Sequence, residues 1–130
     1  LEVSSFQLET TDRFHPKIAA ILNVTPDHLN RHKTIERYAV AKEKITANQT
    51  EEDFLIINAD DPLTLQMAKE KAAQTFFFSV QKDKRPGAWV KNGTVHLQLN
   101  GDDREVCSIQ SLNQAIQWQI EYVLAAVLAM

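Results

Sequence analysis

The stretch Ile18-Ala19-Ala20-Ile21-Leu22-Asn23-Val24-Thr25-Pro26-Asp27-His28 (IAAILNVTPDH) decides the fold class. Residues 18–24 are a run rich in apolar and β-branched side chains, which predicts a strand covered on both faces of a sheet. Similar runs predict strands at residues 54–57 and 75–80, and periodic apolar positions predict helices at residues 34–48 and 63–72. This β-α-β-α-β order predicts an α/β protein with a doubly wound parallel sheet.

The chain outside this core has a different pattern. Residues 5–13 are a predicted first helix. Residues 87–90 and 94–99 show the alternating pattern of strands on either side of Asn92-Gly93, which is a strong hairpin signal. A further antiparallel strand is expected at residues 105–109 and a terminal helix at residues 111–130. We therefore divide the chain into a parallel β/α core (1–80), added antiparallel strands (87–109) and a terminal helix (111–130). Because residues 1–3 resemble the end of a strand, we expect the chain to be part of a longer protein.

Composition excludes several classes of function. A chain of 130 residues is long enough for one compact domain with a core of its own. The net charge is −3 and the basic residues are scattered, so no electrostatic footprint for nucleic acid is present. No apolar run approaches the length that spans a membrane, so no membrane partner is expected. A single cysteine, Cys107, fits a reducing compartment and a cytoplasmic location.

Polar residues that suit a metal follow two of the predicted strands. Glu2 lies within residues 1–3, which resemble the end of a strand. Asp27 and His28 come shortly after the strand predicted at residues 18–24. In open parallel sheets, ligands collect beyond the carboxyl ends of the strands, so Glu2 and His28 could reach one ion. A carboxylate suits magnesium, whereas imidazole is an uncommon ligand for it, and composition leaves the metal open.

Four segments in order carry a resemblance to a known family: EVSSFQLET (2–10), ILNVTPDHL (21–29), YAVAK (38–42) and NADD (58–61). Together they resemble the central ATPase domain of Mur ligases, which has a fold similar to P-loop NTPases. The run Ser-Ser-Phe-Gln-Leu-Glu resembles most the members that add D-glutamate. The likeness is close over residues 1–61 and looser in the rest of the chain.

The resemblance implies an ATP-dependent amide ligase of peptidoglycan precursor synthesis. Its partners would be UDP-N-acetylmuramoyl-L-alanine, D-glutamate and ATP, with Mg²⁺ as cofactor and an acyl phosphate as intermediate. Such chemistry depends mainly on positioning and on neutralising the charge of phosphoryl and carboxylate oxygens.

The resemblance also assigns roles to single residues. Glu2 would hold Mg²⁺, His28 would serve a second metal near the substrate carboxylate, and Lys42 would be carbamylated and act at the metal site. Ser4 and Gln7 would contact the nucleotide-sugar substrate. Each residue also has a structural interpretation: a solvated acid for Glu2, a hydrogen-bonded loop histidine for His28, a solvated helix face for Lys42 and helix capping for the serines. His15, His32 and the run 58–61 are given the structural interpretation.

The sequence departs from the family pattern at three places. Asn30 stands where the family has Asp. Gln119 and Tyr122 replace the two asparagines that bind adenine in the family, and we give them this role as substitutes. No glycine-rich loop with Gly-Lys-Thr occurs in residues 1–130, and the family carries that loop upstream of the Glu2 segment. We therefore expect the isolated chain to be inactive.

Two alternatives remain open. One is another amide ligase of the same superfamily, such as a folylpolyglutamate synthase, which the run Phe6-Gln7-Leu8-Glu9 disfavours. The other is a ligase-derived binding module without catalysis, which the changed region from Trp118 to Tyr122 favours.

Overall fold

The computed structural model of the protein describes residues 1–26, 29–81 and 86–130. Within these ranges the strands form one mixed six-stranded sheet, in which chain order and spatial order are the same. Strands β1 to β4 are parallel to one another, β5 is antiparallel to β4, and β6 is antiparallel to β5. The strands are β1 (Ile18–Ile21), β2 (Phe54–Asn58), β3 (Gln74–Ser79), β4 (Gly87–Lys91), β5 (Thr94–Leu99) and β6 (Asp102–Ser108).

Short helices connect and flank these strands. They are α1 (Ser5–Glu9), α2 (Leu29–His32), α3 (Ile35–Glu43), α4 (Pro62–Met67), α5 (Gln114–Gln117) and α6 (Ile120–Ala129), with 3₁₀ turns at Lys44–Thr46 and Ile109–Ser111. Among the described residues, no helix is both long and apolar enough to cross a lipid bilayer.

The core has two layers because alternate residues of each strand point to opposite faces of the sheet. On one face, Ile21 and Leu55 pack with Tyr38 of α3 and Met67 of α4. On the other face, a second cluster packs against α6 and contains Ile56, Phe78, Ala88, Val95, Leu97, Leu124 and Ala125. Helices therefore cover both faces of the sheet, which confirms the predicted α/β class.

The predicted hairpin is present and extends the parallel sheet. Asn92 and Gly93 at its turn have φ values of 51° and 75°, the left-handed backbone that an Asn-Gly turn supplies at low cost. The hairpin joins the core because Phe77 of β3 pairs in parallel with Gly87 of β4. Strand β6 starts at Asp102, three residues before the predicted 105, after a second turn at Asn100.

Strand β1 differs from the prediction in length and burial. We expected residues 18–24 to be a strand covered on both faces, but β1 ends at Ile21 and only alternate residues are buried. Ile18 is 43% exposed, and Ala20 is also exposed. The reason is that α6 packs mainly against β2 to β5 and covers the face of β1 that carries Ile18 and Ala20 only in part.

Several helices are also shorter than predicted. Helix α1 ends at Glu9 instead of residue 13, because the hydroxyls of Thr10 and Thr11 donate to carbonyls of its last turn. Helix α4 ends at Met67 instead of residue 72, and Glu70 then adopts a left-handed φ of 57°. The terminal helix is interrupted between α5 and α6, and residues 1–3 are not in a strand.

A buried carboxylate joins the loops before β1 and β2, at the edge of the sheet where the parallel strands begin. The Oδ2 atom of Asp53 lies 2.6 Å from Nε2 of His15 and accepts from the backbone N–H and hydroxyl of Thr50 at 2.7 and 2.9 Å. The Lys17 ammonium lies 3.4 Å from the other oxygen. These contacts, above all the one from His15, hold the pKa of the Asp53 carboxyl well below its ordinary value. His15 therefore has a structural partner here.

We expect Asp53 to make the stability of the protein depend on pH on the acid side. Its pKa is lowered in the folded state, so its stabilisation is complete above the ordinary carboxyl pKa of 3.8 and is lost as pH falls below that value. Asp53→Asn should lower the free energy of unfolding at pH 7 and flatten its decline between about pH 5 and pH 2. Urea unfolding across that range measures both, and Asp12→Asn at an exposed acid should keep the wild-type slope.

The attachment of α6 to the sheet depends on Leu124, which is fully buried. Leu124→Ala should lower the free energy of unfolding by about 2–5 kcal/mol, because it leaves a cavity between the helix and the sheet. Trp118→Ala, just before α6 at a side chain that is 84% exposed, should change it by less than about 0.5 kcal/mol. Similar losses from both variants in urea unfolding would contradict this packing.

Candidate active site

An open cavity of about 240 Å³ lies at the carboxyl end of β1. It brings together three predicted site residues from separate parts of the chain, Glu2, Lys42 and Tyr122. Its other lining residues come from the first segment, from β1 with the residues that follow it, and from the turn after α3: Val3, Leu8, Ala20, Ile21, Leu22, Asn23 and Ile45. The structure therefore places Glu2 and Lys42 in the lining of one cavity at this edge of the sheet.

Lys42 is held by direct contacts and is partly buried. Its Nζ donates a hydrogen bond of 2.8 Å to the backbone carbonyl of Asn23 and lies 4.9 Å from the centre of the Tyr38 ring. A cation over an aromatic face and a carbonyl acceptor both stabilise the amine at the cavity wall. Lys42 thus does not extend from a solvated helix face.

Ser4 and Gln7 form a capping box at the start of α1. The Ser4 hydroxyl accepts from the Gln7 backbone N–H at 3.3 Å, and the Gln7 side-chain oxygen accepts from the Ser4 backbone N–H at 2.9 Å. The box orients both exposed side chains at the helix start. It uses the oxygen of the Gln7 side-chain amide and does not involve the nitrogen of that amide. Neither side chain lines the cavity that contains Glu2 and Lys42.

His32 is a buried packing residue that connects α1 to α2. Its Nε2 lies 3.0 Å from the Ser5 hydroxyl, and its ring contacts the rings of Phe6 and Tyr38 at centroid distances of 5.6 and 5.1 Å. Its Nδ1 lies 3.4 Å from the carboxylate of Glu9. Both ring nitrogens therefore have a polar neighbour. This geometry agrees with the structural interpretation of His32.

Glu9 joins the same helices by charge. Arg31 donates to its carboxylate at 2.7 Å, and this hydrogen bond lowers the pKa of Glu9. The Lys44 ammonium donates to the Glu9 backbone carbonyl at 2.9 Å. The contacts of Glu9 therefore connect α1 to α2 and to the end of α3.

The donor set for a metal ion is incomplete in the part of the chain that the structure describes. Those residues contain no group of three or more His, Cys, Asp or Glu side chains that could hold an ion. Asp27 and His28, predicted to lie here, fall outside the described residues. Glu2 contributes a carboxylate to the cavity, and hard oxygen donors of this kind fit Mg²⁺, which keeps several waters.

Of the two predicted nucleotide contacts, only Tyr122 lines the cavity. Tyr122, in the first turn of α6, is 45% exposed and lines the cavity. Gln119 precedes α6, is exposed and does not line that cavity. Sequence reasoning also missed Asn23, because its contribution is a backbone carbonyl. Asn58 and Asp61, whose side chains bond to residues 22 and 24, were interpreted as part of a structural turn.

Comparisons with known proteins find the same family by sequence and the same fold by structure. The sequence model of the Mur ligase middle domain matches residues 1–125. A UDP-N-acetylmuramoylalanine–D-glutamate ligase from Koribacter versatilis is 46% identical over 127 residues, which are 98% of this chain and 28% of that protein. A ligase of the same name from Pelotomaculum thermopropionicum is 43% identical over 128 residues, again 98% and 28%. The chain thus spans just over a quarter of the length of these curated relatives.

Solved structures show the same fold at low sequence identity. A crystal structure of MurF from Acinetobacter baumannii superposes with a TM-score of 0.56 and 16% identity, over 86% of this chain and 26% of that one. A second crystal structure of MurF from that organism has a TM-score of 0.55, with 17% identity over 88% and 26% of the two chains.

The contact between Ser5 and His32 can be tested by a double-mutant cycle. Ser5→Ala should lower the free energy of unfolding by about 1–3 kcal/mol, because it leaves the buried ring nitrogen without its partner. His32→Phe keeps the stacking and leaves the serine hydroxyl unpaired. The double variant should lose less than the sum of the two single losses in urea unfolding. Additive losses would show that the two side chains do not interact.

Proposed function

This chain belongs to the Mur ligase family, and we propose that it is the middle domain of an ATP-dependent ligase that joins D-glutamate to UDP-N-acetylmuramoyl-L-alanine. The names of the curated relatives support this substrate pair. The structural observation that carries the proposal is the shared cavity of Glu2 and Lys42 at the carboxyl end of β1. Ligands of parallel α/β sheets bind at this edge.

The proposed reaction has two steps. The carboxylate of the nucleotide-linked substrate takes the γ-phosphoryl group of ATP, which gives an acyl phosphate and ADP. The amine of D-glutamate then attacks the acyl carbon, and the tetrahedral intermediate collapses to an amide and inorganic phosphate. Since the reacting oxygens all carry negative charge, the protein must position them and neutralise their repulsion.

Glu2 and Lys42 suit this task in the proposed site. The Glu2 carboxylate would hold Mg²⁺, which supplies positive charge next to the phosphoryl oxygens when bound. A bare Lys42 ammonium would repel that ion. Addition of carbon dioxide to the neutral amine, with loss of one proton, converts Lys42 to an anionic carbamate. The carbamate nitrogen keeps one hydrogen, so its bond to the Asn23 carbonyl can persist.

The remaining predicted residues complete the proposal. His28 would serve a second metal near the substrate carboxylate. Ser4 and Gln7 would contact the nucleotide-sugar substrate from the start of α1, where both side chains are exposed. Tyr122 would pack against the adenine of ATP from the cavity wall, and Gln119 would hydrogen-bond its edge.

Lys42→Met and Glu2→Gln in the full-length protein test the catalytic proposal. Each should reduce the rate of ATP- and D-glutamate-dependent phosphate release by about 100-fold or more, because each removes a charged group from the reacting centre. Lys69→Met, at an exposed lysine after α4, is the matched control and should keep wild-type activity. Chromatography identifies the amide product. Wild-type rates in the Lys42 and Glu2 variants would refute their assigned roles.

Calorimetry with ATP and Mg²⁺ on the full-length protein separates the ligase from a non-catalytic module. We expect the wild type to bind ATP and Tyr122→Ala to bind it about 10-fold more weakly, since the ring would no longer pack on the base. Trp118→Ala, at a residue that does not line the cavity, should bind like the wild type. Absence of ATP binding by the wild type would favour the binding module.

A further inference from the structure

The end of β2 and the turn after it hold the segment that follows β1 by two side chains. The Asn58 amide donates to the backbone carbonyl of Leu22 at 2.9 Å, and the Asp61 carboxylate accepts from the backbone N–H of Val24 at 2.7 Å. Between these two anchored residues, the carbonyl of Asn23 accepts from Lys42 at 2.8 Å. Three consecutive residues beyond the end of β1 are therefore held by side chains of β2, the turn after it and α3.

The anchoring turn is itself well fixed. Asn58 is buried, and Asp61 caps α4 by accepting from the Leu63 N–H at 2.8 Å. Pro62 occupies the start of the helix, and the Thr64 hydroxyl donates to the Asn58 carbonyl at 2.6 Å. A turn with this many internal bonds can define the position of a neighbouring segment.

We propose that Asn58 and Asp61 are positioning residues for the Lys42 amine. By holding Leu22 and Val24, they place the Asn23 carbonyl at the cavity wall, and that carbonyl keeps the amine in the cavity shared with Glu2. The functional importance of this arrangement rests on the proposed ligase activity, whereas the placement of the amine does not.

The same turn provides a matched control. Asp60 also makes two short hydrogen bonds, accepting from the Ser79 hydroxyl at 2.6 Å and from the Val80 backbone N–H at 2.7 Å. Those partners lie at the end of β3, and none of these three residues lines the cavity with Lys42. Loss of Asp60 should loosen the turn on its other side without moving the Asn23 carbonyl.

The test compares full-length variants by lysine labelling. Asp61→Ser keeps a capping oxygen for α4 but is too short to reach Val24, and Asn58→Leu removes the bond to Leu22 at similar volume. An amine-reactive reagent is applied without magnesium in bicarbonate-free buffer, and peptide mass spectrometry gives the labelling rate of Lys42 relative to exposed Lys69. We expect Lys42 to label at least about 3-fold faster in both variants and at the wild-type rate in Asp60→Ala.

Labelling decides the inference independently of activity. Wild-type labelling of Lys42 in both variants would overturn it, and so would an equal increase in Asp60→Ala, because general loosening of the turn would then be the cause. In the ligase assay, we expect Asp61→Ser to lower kcat about 10-fold with little change in KM for ATP. A wild-type protein without ligase activity would refute the proposed function, while the labelling result would still decide the placement of the amine.

Discussion

The parallel pairing of β1 with β2 is the constraint on which the candidate site depends. Because Ile21 pairs with Ile57 in the same direction, the chain leaves both strands at one edge of the sheet. The segment after β1 and the turn after β2 therefore lie side by side, close enough for Asn58 and Asp61 to bond to Leu22 and Val24. An antiparallel partner would have sent that turn to the opposite edge, and the Asn23 carbonyl would have no such support.

A second set of contacts joins this edge to the first segment of the chain. Buried His32 and the ion pair between Glu9 and Arg31 tie α1 to α2, and Lys44 ties the end of α3 to α1. Polar groups that carry no proposed catalytic role thus hold together the segments that do. The Tyr38 ring contacts both the His32 ring and the Lys42 amine, so the packing of these helices and the placement of Lys42 are linked.

The agreement between sequence and structure varies with the kind of signal. Buried strands at residues 54–57 and 75–80 and the Asn92-Gly93 turn were predicted closely, because apolar runs and turn residues act locally. The predicted extent of β1 was wrong. Leu22 and Val24 form hydrogen bonds to side chains distant in sequence instead of continuing the strand pairing with β2. The helix ends at Glu9 and Met67 depended on threonine hydroxyls and a left-handed residue, which periodicity does not reveal.

The amino-acid sequence by itself determined the α/β class, the order of strands and the types of residue available for chemistry, because these follow from local patterning and from family motifs. The tertiary structure decided which of them meet. It placed Glu2, Lys42 and Tyr122 around one cavity and left Gln119 outside it. It also gave the run from Asn58 to Asp61 its position beside the Asn23 carbonyl. The physical reason is that hydrogen bonds between segments 19 to 37 residues apart depend on strand pairing and packing, which no local stretch of sequence encodes.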